Sequence, residues 1–298
     1  MVQIYPSANS IQLNRAISVV IPIHNENPVI HELLDDLVDV LRRRFEEDFE
    51  ILVVDDGSTD ESFRTLRSLQ KRIPELCVVQ LPSQNGQSAA LWVGMLRSRG
   101  RLIASMDGDG QFFASDLIKL AELVLDRFEF AIGMRVDRQD TRSKKLFSRS
   151  ANQLRRWLTG SIIPDSGCSL RVFRRSLLTD LLPFQGLHRF MPTIFERSGR
   201  TFGVLPVSHS ARRHGKSHYG IASRALLSFA DLAMLWWFYK RCFDTQLLLE
   251  QECNEIANQD SIRDHKLEAV DSSISEGIPT ACRTRSFHSG RDLDAGTP

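Results

Sequence analysis

FEILVVDDG, residues 49–57, runs from a stretch that is apolar apart from Glu50 into two carboxylates and a glycine. A short β-branched run that ends in turn residues fits a strand buried on both faces, as in a parallel sheet covered by helices. ISVVIPI, residues 17–23, has the same character upstream. Between the two, 28–45 carries apolar residues at helical spacing. Downstream, 76–81 predicts a third strand, 87–97 a helix, 101–106 a fourth strand, 115–128 a helix and 130–134 a further strand. Ser58 and Glu61 have the spacing of a capping box and predict a helix start after Gly57. Strand and helix alternate with short connections. The expected fold class is therefore α/β, a mainly parallel sheet with helices on both faces.

Beyond Met134 the alternation fades. A basic helix is expected over 144–158, a turn-rich segment over 161–173, a helix over 189–198, an edge strand over 201–208 and a polar loop over 211–220. The stretch 225–239 is apolar apart from Asp231, and Trp236, Trp237, Phe238 and Tyr239 lead into Lys240 and Arg241. It is too short to span a bilayer. Aromatics beside cations fit an amphipathic helix at a membrane–water interface, and two adjacent tryptophans cannot both face one core. Residues 243–298 hold eleven acidic and five basic residues and few aromatics, and are expected to be disordered. Three regions follow: a catalytic domain over 15–220, an interfacial helix over 221–242 and an acidic tail over 243–298.

The net charge of +1 hides strong segregation. Residues 135–175 hold eleven basic and three acidic side chains, a local excess of +8 that implies an anionic partner. Nucleic acid is disfavoured, because that block offers only Phe147, Trp157 and Phe173 for stacking. The five cysteines are scattered, odd in number and without a CxxC pair, which argues against a zinc site or a disulfide framework and for a reducing compartment. The first apolar run is too short for a signal peptide and contains Pro22. Neither a P-loop nor G-x-G-x-x-G is present, which weakens kinase and dehydrogenase readings.

Asp107-Gly108-Asp109-Gly110-Gln111 follows the fourth strand. Two carboxylates one residue apart at a strand tip can converge on a hard cation, and Gln111 can add a carbonyl oxygen. An acidic turn has the same composition. Asp55 and Asp56 end the second strand, where carboxylates can accept from a base N–H or a ribose hydroxyl. In open α/β sheets ligands bind at these strand ends.

PIHNE at 22–26, VVDDGSTD at 53–60 and DGDGQ at 107–111 together resemble family 2 glycosyltransferases of GT-A fold. GMRVDRQDTRSKK at 133–145, DSGCSLRVFRR at 165–175, HRFMP at 188–192 and RRHGKSHYG at 212–220 resemble the polyprenyl-phosphate subgroup, which includes dolichyl-phosphate mannose synthase and undecaprenyl-phosphate sugar transferases. The resemblance covers about residues 15–242. It implies an inverting transfer from a UDP- or GDP-linked sugar to a polyprenyl phosphate, with Mg²⁺ or Mn²⁺, by a protein peripheral on the cytoplasmic face of a membrane. Pro22, Asn25, Glu26, Asp55 and Asp56 would line the base and ribose pocket, while Asp107, Asp109 and Gln111 would hold metal and diphosphate. Arg135 and Arg142 would face phosphate oxygens near the acceptor. Arg189 joins the substrate residues. Arg212, Gly215, Ser217 and Tyr219 match an acceptor loop in which His218 stands where many relatives have lysine. Asp165, in the turn-rich segment, is either a base or a residue that orients Arg171 or the acceptor. A hydroxyl acceptor on a glycolipid or glycan is the alternative within the same chemistry.

Overall fold

The two apolar stretches form the centre of a seven-stranded sheet. β1 (Arg15–Ile23) pairs in parallel with β2 (Phe49–Asp55), and every residue of β2 is buried. The computed structural model describes residues 15–136 and 156–210, with Gln153, Asp231–Met234, Trp236, Trp237 and Lys240. β3 (Leu76–Gln80) extends the sheet beside β2, and β4 (Gly100–Ser105) pairs with the other edge of β1, both in parallel. β5 (Phe130–Arg135), β6 (Arg171–Arg174) and β7 (Phe202–Val207) complete the order β3-β2-β1-β4-β6-β5-β7. β6 alone runs against its neighbours. β7 lies at the edge, parallel to β5.

The chain moves outward from β1 to β3, then crosses back to place β4 on the far side of β1. Right-handed crossovers put the connecting helices on opposite faces when the direction reverses, and a crevice opens at the reversal. α1 (Ile30–Phe45) packs on α2 (Ser62–Gln70) and α4 (Ala114–Asp126), whereas α3 (Gln87–Arg97) packs on α5 (Leu187–Arg197). α1 buries Leu33, Leu34, Leu37, Val38 and Leu41, one stripe at helical spacing. α5 holds Pro192 inside the helix. Most strand and helix expectations agree with these bounds to within two residues.

Two local expectations fail. β6 falls inside the expected turn-rich segment, because a four-residue strand with arginine at both ends carries no alternating signal. Ser58 is not a helix cap. α2 starts at Ser62 with no side-chain cap, and the Ser58 hydroxyl instead accepts the Asn25 N–H at 3.0 Å. The basic helix over 144–158 lies mostly outside the described residues, although Arg156–Thr159 are helical. The later helix is described only at a few positions, where Leu232 is buried and Met234, Trp236 and Trp237 are exposed. Among the described residues no helix is long and apolar enough to cross a membrane. The chain divides into a unit Met1–Tyr239 and a second, Lys240–Pro298.

The floor of the sheet fixes the β1–β4 register. Buried Glu50 accepts the Ser18 hydroxyl at 2.6 Å and binds Arg99 through its backbone N–H and its guanidinium, while Gly100 donates to the Ser18 hydroxyl at 2.7 Å. A Cβ on Gly100 would lie 2.4 Å from Ser18 N and 2.6 Å from Leu102 O, both backbone atoms. Gly100→Ala is therefore expected to lower the unfolding free energy by roughly 2–4 kcal/mol in a urea titration. A loss below about 0.5 kcal/mol would show that this approach is not required.

Candidate active site

The register sets the tips of β1, β2 and β4 side by side. Asp55 pairs with Ile23, and Ser105 with Val20. Continuing the β4 register by two residues brings Asp107 level with Pro22. Gly108 makes that approach possible: a Cβ there would lie 2.4 Å from the Ile23 side chain and 3.1 Å from Pro22 O. Gly110 has φ +69°, a left-handed conformation that turns the loop and leaves Asp107 and Asp109 half-buried.

The segment before α3 ties two tips together. Asp56 accepts the Asn85 N–H at 2.7 Å and the Gly86 N–H at 2.8 Å, one on each oxygen. The next residue, Gln87, donates its side-chain amide to Asp107 at 2.6 Å. Asp56 is buried and builds the wall of the crevice through these bonds. Asp55 is fully buried; one oxygen accepts the Ser58 N–H at 3.2 Å and the other, Oδ2, has no hydrogen-bond partner. Asn25 sits at φ +56°, and its side-chain oxygen accepts the Thr59 and Asp60 N–H groups at 2.8 and 3.2 Å. The Glu26 N–H donates to Ser62 at 3.1 Å. Asn25 thus locks the two motif loops to each other, Asp55 closes its own turn on Ser58, Asp56 ties the β2 tip to residues 85–86, and Pro22 contributes its carbonyl edge against Gly108.

The donor set at the β4 tip fits a hard divalent ion. Two oxygen-donor carboxylates stand one residue apart on a glycine-flanked turn. Among the described residues no group of three or more His, Cys, Asp or Glu is placed to hold a metal, so an ion here needs oxygens from phosphate or water, as Mg²⁺ and Mn²⁺ commonly take. Gln111 donates its side-chain amide to Ser210 O at 2.9 Å, and Ser210 N donates to Gln111 O at 2.9 Å. Asp116 accepts the Ser208 N–H at 3.1 Å, and His209 packs edge-on against Phe112. The turn is thereby fastened to residues 208–210.

On the β5–β6 side, Asp165 grips Arg135. Its two oxygens accept Nε and Nη2, each at 2.8 Å. Asp165 therefore orients Arg135 and not Arg171. Burial works against the charge on Arg135, but the hydrogen bonds and charge of Asp165, with Asp107 beyond, hold its pKa above the ordinary arginine value. Burial pushes the nearby Cys168 thiol up to about 12, so it stays protonated and is no nucleophile at neutral pH.

Arg189, in the first turn of α5, faces Asp231 at 4.0 Å. The start of α5 is docked on α3: Ser88 accepts the Gly186 N–H at 3.0 Å and meets His188 Nδ1 at 2.7 Å. Arg142, Arg212, Gly215, Ser217, His218 and Tyr219 lie outside the described residues. Sequence reasoning misses Gln87, which carries no motif signal, and the burial of Arg171, which is hidden with β6.

Relatives and solved structures fit this arrangement. The chain is 34% identical over 229 residues to a dodecaprenyl-phosphate galacturonate synthase of Rhizobium johnstonii, covering 75% of this chain and 67% of that protein. It is 33% identical over 217 residues to an undecaprenyl-phosphate 4-deoxy-4-formamido-L-arabinose transferase of Pseudomonas aeruginosa, covering 72% and 63%. The chain thus spans about two thirds of the length of these relatives. In fold it is similar to glucosyl-3-phosphoglycerate synthase of Mycobacterium tuberculosis, solved with Mn²⁺, uridine diphosphate and phosphoglyceric acid, at a TM-score of 0.55 and 21% identity over 74% of this chain and 77% of that one. A mycobacterial protein matches at a TM-score of 0.57 and 22% identity, over 74% and 76%. The profile described as glycosyl transferase family 2 matches residues 18–182, more than half of the sequence, and with the third of positions shared with these relatives it places the chain in that family.

Proposed function

We propose that this chain transfers a sugar from a nucleoside-diphosphate donor to a polyprenyl phosphate, inverting the anomeric configuration, at a membrane surface. The observation that carries the reading is the grouping of acidic and basic side chains at neighbouring strand tips. Asp107 and Asp109 stand at the β4 tip beside Pro22, and the Arg135–Asp165 pair closes the β5–β6 side. Family membership supports the reaction class. The relatives support the acceptor, since both are named for a polyprenyl phosphate.

Asp107 and Asp109 would hold Mg²⁺ or Mn²⁺ against the diphosphate of a UDP- or GDP-linked sugar. The ion supplies charge stabilisation for the departing nucleoside diphosphate. Crystals of the fold neighbour with Mn²⁺ and uridine diphosphate agree with such a set. Gln111, bound to Ser210, positions the turn. Arg135 offers a pre-oriented cation to the acceptor phosphate. That phosphate has its second pKa near 6, by analogy with phosphoserine, and is a competent nucleophile at neutral pH. It needs no base, and both oxygens of Asp165 are occupied, so Asp165 is a positioning residue here. The interfacial helix over 221–242 would seat the protein peripherally on the cytoplasmic face. Its exposed Met234, Trp236 and Trp237 suit that place.

Asp109→Ala is expected to abolish Mn²⁺-dependent transfer to a polyprenyl phosphate while the melting temperature stays within about 3 °C of wild type. Transfer at the wild-type rate would remove the metal assignment. Asp165→Asn is expected to raise the KM for the lipid phosphate or cut turnover by roughly ten- to a hundredfold, with donor KM changed less than about twofold. Asp165→Glu should recover part of the loss. An unchanged acceptor KM and turnover in Asp165→Asn would show that Arg135 needs no orienting partner.

A further inference from the structure

Arg171 opens β6, across from Ser105, at the end of the sheet that carries Asp107. Its side chain is almost completely buried, and Nη2 donates to Cys168 O at 2.6 Å. Nε and Nη1 are buried with no hydrogen-bond partner. A guanidinium keeps its charge in proteins, and a buried charge with unmet donors is costly. Burial lowers its pKa from the ordinary arginine value, and the charges of Asp107 and Asp165 oppose that fall. Asp165 has both oxygens on Arg135. The positive field of Arg171 reaches both Asp107 and Asp165, and Asp107 is the one of the two that stands on the proposed metal turn.

We propose that Arg171 sets the order of binding at this site, discouraging a divalent cation alone and favouring the diphosphate that brings it. The inference rests on the metal reading of Asp107 and Asp109 given above. The local charge explains how. Asp107 and Asp165 lie within electrostatic reach of Arg135 and Arg171, and Asp109 follows Asp107 by two residues on the same turn, so these five groups balance at −1. A bare divalent ion would turn the cluster to +1 in a poorly solvated place. A nucleoside-diphosphate sugar carries two negative charges, so its complex with the ion is neutral and leaves the balance unchanged. Without Arg171 the cluster stands at −2, which a lone divalent ion would neutralise.

Arg171 therefore acts with opposite sign on the two ligands, whereas damage to the fold weakens both. In calorimetric titrations of the full chain, Arg171→Gln is expected to bind Mn²⁺ alone roughly tenfold or more tightly than wild type, and metal-free UDP or GDP roughly tenfold or more weakly. Arg171→Lys, which keeps the charge, should stay within about threefold of wild type for both. Wild-type protein should bind UDP or GDP more tightly with Mn²⁺ than without it, and Mn²⁺ alone only weakly. Shifts of the same sign, or none, in Arg171→Gln overturn the proposal. Should that variant not fold, tight Mn²⁺ binding by wild-type protein without nucleotide overturns it equally. If wild-type protein binds neither UDP nor GDP with Mn²⁺ present, the donor reading itself fails and this inference with it. Opposite shifts in a protein that binds both ligands support both.

Discussion

Asp56 commits both carboxylate oxygens to two consecutive backbone N–H groups, those of Asn85 and Gly86. Much of the site follows from that grip. It anchors the entry to α3 at the tip of β2, so Gln87 reaches Asp107 and Ser88 receives Gly186 from the start of α5. A charged acceptor held by backbone donors is stronger than a neutral pair and, when buried, costly to break. The β2 tip, the β4 tip and α5 thus share one short stretch of backbone, residues 85–88. Motif carboxylates here build the pocket before any of them touches a ligand.

The fold was legible because its signals are local. Short β-branched runs such as those in 17–23 and 49–55 have few alternatives to a doubly covered strand, and the alternation of elements dictates a parallel sheet. β6 escaped because four residues, two of them arginine, owe their strand state to pairing with β4 and β5. No window of sequence contains that information. Ser58 and Glu61 failed for a related reason. Their spacing fits a cap, but the hydroxyl had a better use, accepting the Asn25 N–H from a loop 33 residues away.

The site was legible where function and backbone coincide. DGDG marks a strand tip and a turn at once, and Gly108 is demanded by Pro22 and Ile23. Partner choice was not legible. Asp165 could be read as serving Arg171, yet it serves Arg135, because β5 ends with Arg135 facing the turn before β6. Which of two arginines a carboxylate finds depends on strand order, and strand order here places β6 between β4 and β5 against the sequence.

The contrast between these two arginines carries the electrostatics of the cleft. Arg135 is satisfied by a bidentate carboxylate, so its charge is largely spent locally and what remains is orientation. Arg171 has one backbone acceptor and two bare nitrogens, so its charge is unspent and acts at a distance. Replacing such a group with an apolar side chain of similar size is often neutral or stabilising. Its presence across from Ser105, at the end of β4 that leads into Asp107, is accounted for by the proposed effect on incoming charge and not by what it adds to the fold. On the proposed reading, a cleft that receives a cation and a polyanion together needs both signs near its floor, and β6, antiparallel to both its neighbours, brings Arg171 to that end of the sheet.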